Sequence, residues 1–316
     1  LDRPSDAFPD GGRYVCDDGL AHANFSQLIT STGRAACESP PLQQWPKREH
    51  REIRRVIGAP PKHKIATFDY GQLEARIIGA MSKDPVLCKE IFNQYDIHGD
   101  WTDRLGKAFD PAALKTKATR KHLRDYIKNS WTFPLFYGSA LESVAHDLCS
   151  VFKRDISPRL LEPYYQEFWD KYRVTLEWQE TLEAFYIKFG YVETALGFRR
   201  HAPMSKNEMI NTPIQGTAAQ LVMDAQARLS KAAYDLDKPQ YQTVINMHDD
   251  LTPYLPDNTL EADIEFIAEQ MCVFDRDFVT VPLSIEVSIG DNWADLTEIG
   301  TFYSTDFGWT PPKPTR

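Results

Sequence analysis

Residues 64–69, "KIATFD", carry an apolar run that ends on a carboxylate and then Gly71, which predicts a strand closed by a turn. Leu73, Ile77, Ala80 and Met81 follow at i, i+4, i+7 and i+8, the spacing of one helix face. From Asp84 to about Tyr186 the pattern is mostly helical, with breaks expected near Pro111, Pro134 and Pro158. In "NTPIQGTAAQLVMDAQARL", Thr212 reads as a cap and Pro213 as the first helical residue. Ile214, Ala218, Leu221, Ala225 and Leu229 form the apolar face of that helix. In "TVINMHDDLTPYLP", residues 243–256, Thr243, Ile245 and Met247 alternate with Val244 and Asn246 and run into His248, Asp249 and Asp250, the signature of a half-buried hairpin strand. A helix near 258–275 and a strand in "VPLSIEVSIG" complete the pattern. The opening "LDRPSDAFPDGGRYVCDDG" and the closing "TFYSTDFGWTPPKPTR" are left without regular structure. The expected class is α+β: a strand-containing layer interrupted by a long, mostly helical insertion, without internal repeats.

Composition narrows the function classes. With 316 residues, 42% hydrophobic and 26% charged, the chain is an ordinary globular protein of about two domains, or of one domain with a large insertion. It has no apolar run of about 18 residues and no signal-peptide pattern, so neither a membrane span nor secretion is suggested. The five cysteines, at 16, 37, 88, 149 and 272, are scattered and form no CxxC pair, which favours reduced thiols over disulfides or a zinc site. A net charge of −9 argues mildly against nucleic acid, but residues 115–128, "KTKATRKHLRDYIK", hold six Lys or Arg against the single acid Asp125.

The candidate chemistry lies at three places, and each has a plain structural alternative. Asp69 either caps the following helix or holds a cation at the strand end; Glu74, one turn into that helix, either favours its positive end or faces a ligand. Asp249 and Asp250 either belong to a solvated turn or share a cation with Asp69, 180 positions earlier, if the two strands are neighbours. Arg120, Arg124 and Lys128 recur every four residues as a basic ridge, followed by Trp131, Phe133, Phe136 and Tyr137. Cations for phosphates beside rings for bases is nucleotide-binding chemistry, although the rings alone would more often be core. His98, Arg34 and Gln215 carry no function singly.

Taken in order, "TSTGRAACESPPLQQWPKR", "FDYGQLEAR", "DIH", "RDYIK" with "FPLFYG", "GYVETALGFRRHAP", "NTPIQGTAAQL" and "INMHDDL" resemble the motifs of family A DNA polymerases, the DNA polymerase I family, from about Ala23 to Leu296. The "TFPLFYG" version is similar to phage members. The resemblance implies a right-hand palm, an antiparallel sheet with helices, interrupted by helical fingers. It divides the chain into an irregular remnant at 1–22, palm at 23–83 and 201–296, fingers at 84–200 and a tail at 297–316. It implies DNA synthesis from dNTPs on primer-template DNA with two Mg²⁺, held by Asp69, Asp249 and the Tyr70 carbonyl, Asp69 and Asp249 being the catalytic pair. His98, Arg124 and Lys128 would hold the triphosphate, Phe133 would pack on the incoming nucleotide, and Gln72 would lie beside it. Glu74 would exclude a ribose 2′-hydroxyl. Arg34, Tyr137, Asn211, Gln215, His248 and Asp250 would face DNA.

Three departures shape further expectations. Lys128 precedes Phe133 by five positions where the family usually has four, so a bulge or kink is expected, with Thr132 the competing match to the Phe. Asp250 stands where the family usually has Glu. Only about 30 residues precede "TGR", and Leu1 stands where Met is expected, so a thumb, with or without an exonuclease, is expected from an upstream segment or polypeptide. The location implied is cytoplasmic, the bacterial host cytosol for a phage-encoded chain. The rival readings are a non-catalytic nucleic-acid-binding scaffold subunit and a metal-dependent phosphohydrolase.

Overall fold

The computed structural model describes residues 16, 19–27, 29–47, 50–274 and 276–311. Of the segments expected to be irregular, 1–15, 17–18 and 312–316 lie outside these. The strands are β1 Asn24–Ser26, β2 Ala36–Glu38, β3 His63–Tyr70, β4 Tyr191–Glu193, β5 Arg199–His201, β6 Ile245–Met247, β7 Asp250–Thr252, β8 Tyr254–Pro256, β9 Ser284–Gly290 and β10 Thr297–Tyr303. The α-helices are α1 Leu73–Ser82, α2 Pro85–Phe92, α3 Ile97–Phe109, α4 Lys117–Ile127, α5 Phe133–Phe136, α6 Leu141–Phe152, α7 Pro158–Lys171, α8 Arg173–Phe189, α9 Lys206–Asp235 and α10 Leu260–Cys272. The class is α+β. Two compact units divide the chain: the first takes the described residues up to 73 with 218–274 and 283–310, and the second takes 74–217 with the described residues of 275–282 and 311–316.

The first unit is built on an antiparallel sheet in the order β10-β9-β3-β7-β6, with β8 also paired to β3. β3 lies at its centre because its apolar run leaves Ile65, Ala66 and Phe68 with no exposed surface. Helix α10 packs on β8, β9 and β10, and Ile65 meets Cys37, Leu42, Ile245 and Trp293 in a second cluster. The guanidinium of Arg54 lies 4.0 Å over the Trp293 ring. In the segment from Thr301 that the apolar pattern left unstructured, β10 pairs along β9 through Tyr303. A register shift between Glu298 and Gly300 breaks the period-two alternation there, which is why the pattern concealed the strand.

The second unit is helical apart from the β4–β5 hairpin. Its core is aromatic: Trp101 meets Trp131 at 5.5 Å and Phe168 at 5.3 Å, and Phe136 meets Phe168 and Tyr172 at 5.1 and 5.2 Å. Tilted pairs of this kind contribute about 0.5–1.5 kcal/mol each beyond the apolar area they bury. The expected bulge before Phe133 takes the form of a π-turn over Lys128–Thr132, closed by the Phe133 amide donating to the Lys128 carbonyl. The π-turn joins α4 to α5, and Pro134 follows where the ladder is already irregular. Buried Gln179 then donates to the carbonyls of Leu135 and Phe136 at 3.3 and 2.8 Å, closing the helix end.

Helix α9 begins earlier than its sequence pattern indicates, at Lys206, with Pro213 in its interior. The cause is a capping box: Ser205 Oγ accepts from the Glu208 amide, and Glu208 Oε2 accepts from the Ser205 amide at 2.9 Å. Thr212, expected as the cap, is buried and accepts from Arg200 Nη1 at 3.1 Å. The apolar face of α9 is as expected, with Ile214, Ala218, Leu221, Ala225 and Leu229 all buried.

Candidate active site

In the first unit, β3 pairs with β7 so that Phe68 lies opposite Leu251 and Asp69 opposite Asp250. From the other side β9 sets Glu286 opposite Asp69. Directly opposed residues share one face of a sheet, so Glu286, Asp69 and Asp250 form a row of carboxylates across three strands. Asp249 lies beside this row in the two-residue turn between β6 and β7, after His248 in the left-handed region at φ 62°. Its carbonyl accepts from the Tyr70 amide at 3.1 Å. At Gly71 a Cβ would lie 2.5 Å from Ser284 Oγ and 3.2 Å from Glu286 Oε1, so only glycine lets the chain turn this close to β9.

The electrostatics of this row favour a cation. Asp250 is buried and accepts from the Thr252 hydroxyl at 2.8 Å; burial, then the charge of Asp69, pushes its carboxyl up to about 7. Lys47 Nζ lies 3.4 Å from Asp69 Oδ2, and Arg34 Nη2 lies 3.8 Å from Asp249 Oδ1. With its side chain 72% exposed, Lys47 offers little fixed compensation. Among the described residues no group of three His, Cys, Asp or Glu side chains is arranged to hold a metal ion by itself. Asp69 and Asp249 nevertheless fit Mg²⁺, a hard cation commonly bound through one or two carboxylates with substrate phosphates completing its shell. An apolar cavity of about 540 Å³, lined in part by Leu20, Phe25, Trp45 and Tyr254, lies elsewhere in this unit and does not include the carboxylates.

In the second unit the aromatic run separates into two roles. Trp131 and Phe136 are core residues, whereas Phe133 and Tyr137 are half-buried and stacked, with centroids 5.6 Å apart and planes 9° from parallel. The π-turn brings Lys128 Nζ to 5.2 Å from the Phe133 ring, and His98 approaches the same ring to 5.1 Å. Thr132, the competing match, is fully buried. Along the basic ridge, Arg120 pairs with Asp103 and Arg124 with Asp96. Gln72 is exposed at φ 51°, Glu74 is half-buried in the first turn of α1, Asn211 and Gln215 are half-buried on α9, and His248 is exposed. Lys47, Glu286 and Asp96 were not singled out in the sequence. In the first unit the pairing of β3 with β9 brings Glu286 to Asp69 and a loop brings Lys47 there, and in the second the packing of α4 on α3 brings Asp96 to Arg124; no local pattern carries that information.

His98 is 2% exposed, and neither ring nitrogen has a hydrogen-bond partner among the described residues. Burial, then the charges of Lys128 and Arg124, pushes its imidazole down to about 3, so it is neutral at working pH. The unfolded chain binds a proton here below about pH 6.5 that the folded chain refuses, so stability is lost as the pH drops below that value, by at most about 1.4 kcal/mol per unit. Between pH 7.5 and 5.0, denaturation midpoints are expected to show the wild type losing about 2 kcal/mol more than His98→Gln. Equal losses would contradict the buried, neutral state.

Comparisons with known proteins bear on the family and the fold. A family model described as DNA polymerase family A matches residues 12–295. The DNA polymerase I of Chloroflexus aurantiacus is 30% identical over 293 residues, covering 89% of this chain and 30% of that protein. The thermostable DNA polymerase I of Thermus aquaticus is 28% identical over 298 residues, covering 89% and 33%. Among solved structures, the POL domain of Pol1 from M. smegmatis, in complex with DNA primer-template and dNTP, superposes with a TM-score of 0.75 at 25% identity, over 89% of this chain and 49% of that one. The chain thus spans about a third of the length of these curated relatives. With a match running from residue 12 to residue 295, through both units, the chain belongs to DNA polymerase family A.

Proposed function

We propose that this chain carries out template-directed DNA synthesis, the primer 3′-hydroxyl attacking the α-phosphorus of a dNTP and the bond to pyrophosphate breaking. The observation that carries the reading is the pairing of β3 with β7, which joins Asp69 to the Asp249–Asp250 turn from 180 residues away. Residues 23–83 and 201–296 then act as palm and 84–200 as fingers. Asp69 and Asp249, with the Tyr70 carbonyl, would hold two Mg²⁺ ions. Bound there, Mg²⁺ supplies Lewis acidity to the primer hydroxyl and offsets charge on the leaving pyrophosphate.

The rest is the work of the chain's own side chains. Arg124 and Lys128 match triphosphate charge, and His98 lies with Lys128 against the Phe133 ring as the third member of this group. Phe133 and Tyr137 offer stacked ring faces to the nucleotide and the template base. Arg34, Asn211, Gln215 and His248 contact the duplex, and contacts of this kind to minor-groove acceptors test pair shape more than sequence. An upstream segment or polypeptide supplies the thumb, and the acidic charge of −9 is consistent with much of the grip on DNA lying there. No helix among the described residues is long and apolar enough to cross a membrane.

The test is extension of a labelled primer with Mg²⁺ and dNTPs, first by the chain alone and then with any upstream polypeptide added in equimolar amount. Extension in either arm supports the reading, and extension only in the mixture assigns a split enzyme. DNA bound without extension in both arms favours a scaffold subunit, and primer degradation without a dNTP requirement favours a phosphohydrolase.

A further inference from the structure

We propose that Asp96 is a positioning residue for nucleotide binding: it holds one edge of the Arg124 guanidinium so that the other edge meets the triphosphate. This rests on the reading of Arg124 as a triphosphate ligand. Asp96 is the N-cap of α3, its Oδ1 accepting from the Gly99 amide at 3.0 Å, so the helix it starts fixes its carboxylate. Arg124 lies in the last turn of α4 and donates from Nε to both carboxylate oxygens at 3.0 Å and from Nη2 to Oδ1 at 2.6 Å. These donors share one edge of the fork. The Nη1 amino group makes no such bond among the described residues and remains available to an anion.

Two further observations support the assignment. A Cβ at Gly99 would lie 2.3 Å from Asp96 Oδ2, so the carboxylate can fold over the helix start only because position 99 is glycine. The ridge is also graded. Arg120 is engaged by Asp103 through Nε and Nη2 and reaches the Gly99 carbonyl at 3.3 Å, Arg124 is held on one edge, and Lys128 has no carboxylate partner among the described residues. Burial would raise the Asp96 carboxyl, but its hydrogen bonds from Arg124 and Gly99 outweigh burial and hold it below the usual range, so it stays ionised. A free arginine side chain loses rotamer entropy when it is ordered, and pinning one edge removes part of that loss before the nucleotide arrives. This gain opposes the repulsion between the Asp96 charge and the phosphates, which the Arg124 charge beside it largely cancels.

The experiment measures dATP binding to the full chain with Mg²⁺ by titration calorimetry, for wild type, Arg124→Ala, Asp96→Asn, Gly99→Ala and the double variant Asp96→Asn with Arg124→Ala. Asn retains the cap and removes the charge. Arg124→Ala is expected to weaken binding about tenfold or more, and Asp96→Asn and Gly99→Ala about three- to tenfold. In the Arg124→Ala background, Asp96→Asn should change binding by less than about twofold. Unchanged or tighter binding by Asp96→Asn, or the same loss in both backgrounds, overturns the proposal while leaving Arg124 as a ligand. Unchanged binding by Arg124→Ala strikes the underlying reading, and the proposal with it.

Discussion

Replacing Asp69 by alanine is expected to lower nucleotide incorporation by about 10³-fold or more while primer-template binding stays within about twofold. The asymmetry follows from charge. Asp69 stands in the carboxylate row beside Asp250 and opposite Glu286, so its proposed partner is a cation, and its loss removes several kcal/mol of transition-state stabilisation. DNA is a polyanion, and removing an anion from the surface that faces it takes away no attractive contact. Asp249→Ala is expected to behave alike. Asp69→Ala should not lower the melting temperature, because it relieves the repulsion that Asp69 exerts on buried Asp250. Pre-steady-state incorporation, DNA affinity and thermal melting on the same preparations test this. A fall in DNA affinity or melting temperature that matched the loss in rate would assign Asp69 a structural role.

Glu74→Ala is expected to raise use of ribonucleotides relative to deoxyribonucleotides by about 100-fold, equivalent to about 3 kcal/mol of lost discrimination at about 1.4 kcal/mol per tenfold. Glu74 is half-buried in the first turn of α1, five positions after Asp69, and the turn through Gly71 and Gln72 that introduces it is held against β9 by the space only glycine leaves. In the proposed role of gate, a side chain introduced by such a turn would exclude a hydroxyl by bulk, and shortening it would remove the obstacle without adding a contact to dNTPs. The ratio of kcat/KM for UTP and dUTP opposite template dA measures the change. An unaltered ratio would remove Glu74 from the role of gate.

Much of this was legible along the chain because it depends on local periodicity. β3, α1, the hairpin that carries Asp249 and the apolar face of α9 all follow from residues within one or two turns of each other. The extra residue before Phe133 predicted a bulge, and the π-turn is its physical form. The start of α9 lies earlier than the strong local signal of Thr212-Pro213 indicates, because the Ser205–Glu208 box uses two reciprocal hydrogen bonds and begins the helix first. β10 was hidden by the register shift at Gly300. Lys47, Glu286 and Asp96 were hidden for a different reason: each owes its place to a partner 22, 217 and 28 positions away, respectively. Such register is decided by packing of whole elements, to which a local pattern of apolar and polar residues is blind.

The most direct measurement of the central claim is templated selection. Four primer-templates differing only in the next template base are each offered each of the four dNTPs with Mg²⁺, in the presence of any upstream polypeptide. The account predicts incorporation of the complementary nucleotide in each case, dependent on Asp69. Incorporation indifferent to the template base, or none at all on DNA that is bound, would contradict it.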